Sequence, residues 1–532
     1  MTREVRRPFQ VDGKPFFPLG GQTHNSSGYS AAEMTRAWDA LAAFDANLIE
    51  VPVYWEQVEP EEGRYVWDSV DALLQGCRQR GLRLVILWFA TWKNGMMRYC
   101  PEWVKLDTER FRRVITPVGY PIGVLSSHCA ATRDADARAF SALMAHLHAV
   151  DGDEGTVIAV QIENEPGILG SDRDYGPEAQ AVYDAPVPAE IVDRMRAAPE
   201  SAVHAAWQRE GAPEAGSWGE LYGRDGGDFL TAWSIARYVD AIAVAGRAEH
   251  NVPLYTNVWL GEQRGGIAGI GYPAGGAVGK TLDIWLWSAP HLDLIAPDIY
   301  TGDHDGYRKT CAIYGRPDNA LFIPESGRGI SNALNIWYAL ADHDAVGYAL
   351  FGIEGMLDAD GQVKPESQAA AASFRCAAAA IPLLLEYQGT DRIHAIVQQE
   401  FMSEAYIELG DWVALIQFAD GPEGGYRRDH RHGRCTDDRG RGLLVQSGPN
   451  EFYLVGAGWN AVFRHVACAA ATFSGWQAAD HRASRLFDYL SIEEGHFDDD
   501  GQWVTTRRRN GDETSGGAWV SPEIGLVRVR LS

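Results

Sequence analysis

Short apolar runs recur through the first two-thirds of the chain, separated by longer stretches with apolar positions every third or fourth residue. The runs are Phe16–Gly20, Asn47–Tyr54, Leu82–Phe89, Val157–Ile162, Pro253–Leu260, Leu292–Tyr300, Leu321–Pro324 and Val346–Phe351. At four to nine residues they are too short for helices, and they are rich in β-branched and aromatic residues. Their near-continuous apolarity predicts strands buried on both faces, as in a parallel sheet. Between them, the three-and-four spacing predicts helices over Ser30–Phe44, Trp67–Arg80, Asp134–Val150, Asp228–His250, Ile330–Ala341 and Glu366–Leu385. Ser30 with Glu33 reads as a capping pair, and Gly81 as a helix stop.

Eight strands alternating with helices over residues 1–387 predict an α/β chain folded as a (β/α)8 TIM barrel. A doubly wound open sheet is the alternative. It would carry a Gly-rich phosphate loop after the first strand, where this chain reads GGQTHNSSG. Residues 168–227 form an insertion far longer than an ordinary βα loop. With Tyr175, Tyr183, Trp207, Trp218 and Tyr222 it is expected to wall the pocket and favour exo action.

After Tyr387 the pattern changes to short alternating segments without helical partners: Ile393–Gln398, Ala405–Leu409, Trp412–Phe418, Leu443–Gln446, Glu451–Gly456 and Leu526–Leu531. Residues 388–532 are therefore expected to form a smaller all-β, sandwich-like domain. The charged stretches Tyr426–Gly442 and Thr505–Asp512 read as solvated loops within it.

Composition narrows the function. Of 532 residues, 72 are acidic and 47 basic, a formal charge of −25, so phosphate backbones and anionic bilayers are disfavoured partners. No nucleic acid and no membrane is expected to bind. No apolar run approaches the ~20 residues of a membrane span. The N-terminus lacks the apolar core of a signal peptide, so a cytoplasmic location is expected. Cys77, Cys100, Cys129, Cys311, Cys376, Cys435 and Cys468 show no metal-binding spacing and read as reduced thiols. The 18 Trp suit both a large core and sugar stacking.

A barrel keeps its chemistry at the carboxyl ends of its strands. The fourth ends in Gln161-Ile162-Glu163-Asn164-Glu165-Pro166-Gly167, the seventh in Ile323-Pro324-Glu325-Ser326-Gly327. Two carboxylates at one rim are what glycosidic cleavage requires: one protonates the leaving oxygen and the other attacks the anomeric carbon. Glu163 reads as a buried supporting group, because Glu165 lies nearer the strand tip. No acidic or histidine set has convincing metal spacing, so neither a metal nor another cofactor is expected.

QIENEPG and FIPESG resemble the retaining glycosidases built on (β/α)8 barrels, the clan A enzymes. Phe9–Ser27, Val51–Asp68 and the tail from Trp503 to Leu531, with its RRRNGDETSGGAWV, resemble more narrowly the β-galactosidases of glycoside hydrolase family 35. The tail is similar to the extra C-terminal β domain of a bacterial subgroup. The resemblance implies Glu165 as acid/base, Glu325 as nucleophile, and Asn164 as a partner of the sugar 2-hydroxyl. It also implies that Tyr300 hydrogen-bonds the nucleophile. Retention follows, with carboxyls ~5–5.5 Å apart.

Further substrate contacts are expected from rim residues. Trp92 would stack on the sugar, and Lys93 and Asn94 would bind hydroxyls. Tyr54, Glu56, His24, Asn25 and Glu354 complete the candidates. The third-strand run Trp88–Asn94 departs from the family's Pro-Gly-Pro-Tyr and A-E-W pattern. The resulting expectation is an exo-β-galactosidase acting on oligosaccharides. Its alternatives are the same machinery on another glycone (glucose, fucose or arabinose), a catalytically silent glycan-binding barrel, or a lyase or aldolase using Lys93. Self-association as a homo-oligomer such as a dimer is compatible with a chain of this kind.

Overall fold

The computed structural model describes residues 4–400, 402, 404–418, 439–466, 487–514, 516–521 and 523–532. Each of the eight apolar runs forms a strand of one parallel sheet: β1 Leu19–Gln22, β2 Leu48–Tyr54, β3 Arg83–Lys93, β4 Val157–Asn164, β5 Leu254–Trp259, β6 Leu294–Asp298, β7 Phe322–Ile323 and β8 Gly347–Phe351. The ladder runs β6-β5-β4-β3-β2-β1-β8-β7. A parallel bridge between Ile299 and Ser326 joins its two ends, with Ile299 N donating to Glu325 O at 2.9 Å. This is a TIM barrel. Every residue of β2 and of β4 is buried, which is why these strands lack polar alternation. At Gly20 a Cβ would lie 2.0 Å from Leu48 O, so the close approach of β1 to β2 requires glycine there.

Helices cover the outside: α1 Thr35–Ala43, α2 Asp68–Arg78, α3 Ala130–Asp151, α4 Gly226–Glu249, α5 Leu282–Ser288, α6 His304–Tyr314, α7 Ile330–Trp337 and α8 Gln368–Ala379. Six were expected from the sequence. Helix α5 spans only seven residues, too few for a periodic signal. Helix α6 starts at the Asp303 cap, whose carboxylate accepts Gly306 N at 2.6 Å, but it buries only Tyr307, Thr310, Cys311 and Tyr314 along a polar sequence. The single helix expected over Glu366–Leu385 is broken. Pro382 sits in the first turn of a separate helix, Ile381–Tyr387, bent 62° from the one before. Ser30 Oγ does accept Glu33 N at 3.3 Å, but only turns follow until the helix begins at Thr35.

Among its described residues, the C-terminal region forms two antiparallel sheets. Its strands are β9 Ile393–Val397, β10 Glu404–Leu409, β11 Trp412–Gln417, β12 Arg441–Gly448, β13 Glu451–Ala457, β14 Trp459–His465, β15 Tyr489–Phe497, β16 Trp503–Arg509, β17 Ala518–Val520 and β18 Leu526–Leu531. One sheet has the order β9-β12-β13-β18-β15-β16, the other β10-β11-β14-β17. Strand alternation splits the larger sheet between two cores. Leu443, Val445, Tyr453, Val455 and Leu526 join the barrel core. Leu444, Phe452, Leu454, Val527 and Val529 face the smaller sheet. The larger sheet is thus sandwiched between the barrel helices and the smaller sheet. Buried Arg441 pins it to α8, its Nε donating to Ser373 Oγ at 2.9 Å and its Nη2 to Ala369 O at 3.3 Å.

Two loop expectations met different outcomes. Most of Tyr426–Gly442 (residues 426–438) lies outside the described residues, as do Cys435 and Cys468, and 441–442 open β12. Thr505–Asp512 is not a loop. Through Arg509 it is β16, an edge strand in which Arg508 pairs across from Glu493 and Arg507 across from Glu494. Charge that reads as solvated is laid out here as cross-strand ion pairs.

Candidate active site

The site grows from an irregularity between β3 and β4. Trp88 pairs with Ile162, but the next pair is Lys93 with Asn164, so five residues of β3 face two of β4. The bulged N–H groups of Thr91 and Trp92 have no ladder partner. The Glu163 carboxyl accepts both, at 3.2 and 2.7 Å. Behind it, Asp136 on α3 accepts Trp88 Nε1 at 2.9 Å and Thr91 Oγ1 at 2.6 Å. Burial and the adjacent Asp136 push the Glu163 carboxyl well above the carboxylate range, so this pair holds a proton. Glu163 is therefore buried support for the rim, as the sequence suggested. Strand alternation alone would aim it beside Glu165. It does not, because Glu163 and Glu165 both have positive φ, 62° and 46°, which breaks the period of two.

Past the bulge, Asn94 N donates to Asn164 O at 3.0 Å and Gly95 N to Glu165 O at 3.1 Å. Glu165 N donates to Asn257 Oδ1 on β5 at 2.7 Å, and the Asn94 amide donates to the Glu165 carboxylate. Gly167 has to be glycine, since a Cβ there would come 2.4 Å from Pro273.

Glu325 follows β7 and faces Glu165 across the rim. Its Oε1 accepts Gln22 Nε2 at 2.7 Å, and the Asn164 and Asn257 amides approach the same oxygen at 3.5 Å. Its Oε2 accepts the Tyr300 hydroxyl at 2.8 Å. Burial and the charge of Glu325 raise the Tyr300 phenol, keeping it a donor. Lys93 Nζ donates to Asn164 Oδ1 at 2.7 Å, which turns the Asn164 amide nitrogen toward Glu325.

Oxygens of Glu165, Glu325 and a third carboxyl, Asp298 on β6, lie within 4.8 Å of one another. Burial first, and then the Glu325 charge, raise Glu165 to about 7. Asp298 is pushed well above its ordinary value by burial and by both glutamates. The arrangement offers one carboxyl poised to give a proton near neutrality and another whose two oxygens are met by several donors. Among the described residues, these three also form the one set of acidic, histidine or cysteine groups close enough to share a cation. Both oxygens of Glu325 are already taken by donors, which suits a nucleophile better than a metal ligand.

The structure brings Glu165, Glu325, Asn164, Tyr300, Lys93 and Asn94 together. Trp92 does not join them. It is fully buried, its ring packed edge-on against Tyr238 of α4, because the bulge turns it outward into the helix layer. Tyr54 is also buried. It stacks on Tyr29 at 3.9 Å, donates to Asn25 O at 2.7 Å and accepts Gly28 N at 3.2 Å, so it ties down the first barrel loop. Glu56 is half-buried, accepting Tyr29 OH at 2.6 Å and pairing with Lys105 at 3.0 Å. Glu354 accepts His24 N at 3.1 Å and Ser27 Oγ at 2.5 Å, while the exposed His24 ring sits edge-on to Phe351. These contacts build the first loop, in which the Asn25 side-chain oxygen is buried without a hydrogen-bond partner.

The insertion also differs from expectation. Its helices Pro177–Asp184, Ala189–Ala197, Ala202–Arg209 and Trp218–Tyr222 pack outside the barrel, with Trp218 and Tyr222 fully buried and Trp218 against Trp233 of α4. Tyr175 and Tyr183 clamp the Arg173 guanidinium at 3.7 and 4.0 Å. Its start lies at the rim, where Ile168 bridges Ala274 and Gly170 N donates to Gly269 O at 2.8 Å.

Gln22, Asn257 and Asp298 were not read from the sequence. Their signal was a polar residue near the carboxyl end of an otherwise apolar barrel strand.

Comparison with known proteins agrees with this architecture. Residues 370–521 match a family model described as a domain of unknown function, DUF5597. A stretch of 186 residues, 33% of this chain, is 27% identical to a β-galactosidase of Xanthomonas manihotis and spans 28% of that protein. Among solved structures, a GH42 β-galactosidase from G. stearothermophilus is similar with TM-score 0.50 and 16% identity, over 73% of this chain and 59% of that one. The catalytic domain of β-amylase from Paenibacillus polymyxa is similar with TM-score 0.50 and 14% identity, over 70% of this chain and all of that one. At these identities the solved structures share the barrel fold.

Proposed function

We propose that this protein is a retaining exo-β-glycosidase that releases terminal β-D-galactose from oligosaccharides. The observation that carries the reading is the facing pair at the ends of β4 and β7. Glu165 and Glu325 approach within 4.8 Å, one raised to about 7 and the other held by Gln22 and Tyr300. An inverting pair needs ~6.5–9.5 Å to admit a water, so the close approach favours retention. Glu165 protonates the leaving oxygen while Glu325 attacks the anomeric carbon, forming a glycosyl ester. Glu165, now a carboxylate, then takes a proton from the water that cleaves it. The Asn164 amide, steered by Lys93, faces the nucleophile, where it can meet the 2-hydroxyl.

Galactose as the glycone rests on the sequence similarity to the Xanthomonas β-galactosidase and on the family 35 motifs. Exo action is supported by the joined 168–170 and 269–274 segments beside Glu165.

A panel of p-nitrophenyl glycosides with wild type and Glu325→Gln tests the reading. Hydrolysis of the β-galactoside, lost in the variant and yielding the β-anomer first, supports it. Hydrolysis of a glucoside, fucoside or arabinoside instead would correct the sugar and keep the mechanism. An α-anomer as first product would overturn retention.

A further inference from the structure

The third carboxyl of the site has no place in a two-carboxylate mechanism. Asp298 ends β6 and is 3% exposed. Its Oδ2 accepts Asn257 Nδ2 at 2.8 Å, and that same side chain holds Glu165 N through Oδ1. Its Oδ1 is shut off from solvent and meets no donor. Three carboxyls crowd within 4.8 Å, and Lys93 is the cation acting on this cluster. Like charges so close cannot all ionise. The donors are unequally shared: Gln22 and Tyr300 serve Glu325, Asn94 serves Glu165, and Asp298 has Asn257 alone.

Resting on the glycosidase reading, we propose that Asp298 is a positioning residue held as a neutral carboxylic acid, its Oδ1 hydroxyl donating to the Glu165 carboxyl. An acid at Oδ1 turns an orphaned acceptor into a donor. It also leaves one charge fewer beside Glu325. The groups facing Asp298 are Glu165 from β4, Glu325 after β7, Lys93 from β3, Tyr255 from β5, Tyr300 beyond its own strand and Tyr314 from α6. Burial and the two glutamate charges all favour its protonated form, with Lys93 opposing. When Glu165 has given its proton to the leaving group, the Asp298 hydroxyl stabilises the new carboxylate while keeping its own proton. Glu165 is thereby held as an anion in place for the water-activating step.

The test compares wild type, Asp298→Asn and Asp298→Ala by two independent readouts. The first is infrared difference spectroscopy on protein carrying 13C-labelled Asp at pH 8. Wild type minus Asp298→Asn should show a carboxylic-acid C=O band; its absence would overturn the proposal. Should the Asn variant not fold, Asp298→Ser serves the same subtraction. The second is the pH profile of kcat/KM on an aryl β-glycoside. An amide imitates a neutral acid, so the alkaline limb of Asp298→Asn should stay with wild type. Asp298→Ala loses the donor, and its limb should move up by about one unit. A limb that moves down by a unit in Asp298→Asn would mean Asp298 was ionised and would overturn the proposal. Coincident Asn and Ala profiles would also overturn it. If wild type hydrolyses no glycoside, the functional reading fails, and the infrared band still decides the protonation of Asp298.

Discussion

Neutralising Glu325 should release the Glu165 proton at lower pH. Glu165 sits at about 7, through burial first and the Glu325 charge second, with Lys93, Asp298 and Asn94 opposing. Two unit charges at the 4.8 Å limit of their approach repel by roughly 3.5 kcal/mol at an effective dielectric of about 20, or about 2.5 pH units. Burial carries the larger part of the shift. The Glu325→Gln variant, which keeps the side-chain volume and an acceptor for Gln22 or Tyr300, should therefore lower Glu165 by about two to two and a half units. The same fall would follow when a sugar ester replaces the charge in the glycosyl-enzyme. The double displacement proposed above would need it, since there Glu165 changes from acid to base. Titration of 13C-labelled Glu side chains by NMR, with Glu165→Gln to assign the resonance, measures the midpoint in both proteins. A midpoint that remains near 7 in Glu325→Gln would refute the coupling and leave burial as the whole cause.

Other consequences follow from the same geometry. Because Glu165 is raised above its unfolded value, the folded state binds its proton more tightly. Its stability contribution is fully present below about 4.5 and is lost as pH rises to about 7. Glu165→Gln should then raise the free energy of urea unfolding at pH 8, by a few kcal/mol at most, and match wild type near pH 4.5; equal stabilities at pH 8 would contradict this. Tyr300→Phe removes a 2.8 Å bond to Glu325 and should lower kcat/KM by roughly 10- to 100-fold, the worth of a hydrogen bond to a charged group. Unaltered kinetics would remove Tyr300 from the machinery. Glu163→Ala strips two bulged N–H groups of their acceptor and should cost about 2–5 kcal/mol in chemical denaturation. A loss below about 0.5 kcal/mol would show that the bulge does not depend on that carboxyl. Trp92→Phe should lower stability by about 1–3 kcal/mol and leave KM unchanged, whereas a large rise in KM would return Trp92 to the sugar.

The sequence by itself determined the barrel. Its eight strands are buried on both faces, and that burial forces the near-continuous apolar runs that mark them. It also pointed to the two glutamates as candidates, because they stand at strand ends of one barrel rim, where the fold brings their carboxyls within 4.8 Å. The short segments after Tyr387 marked an all-β region, but not that the barrel itself covers one face of its larger sheet. Period and local chemistry could not reveal which side chains meet. Trp92 and Lys93 are neighbours in sequence, yet a bulge aims one into the helix layer and the other at Asn164. Glu163 and Glu165 share a spacing that implies a common side, and positive φ at both separates them. Asp298, Gln22 and Asn257 come from three different strands and acquire their roles only when the barrel closes. Which carboxyl holds a proton is set by burial and by the charges opposite it, and both exist only in the folded chain.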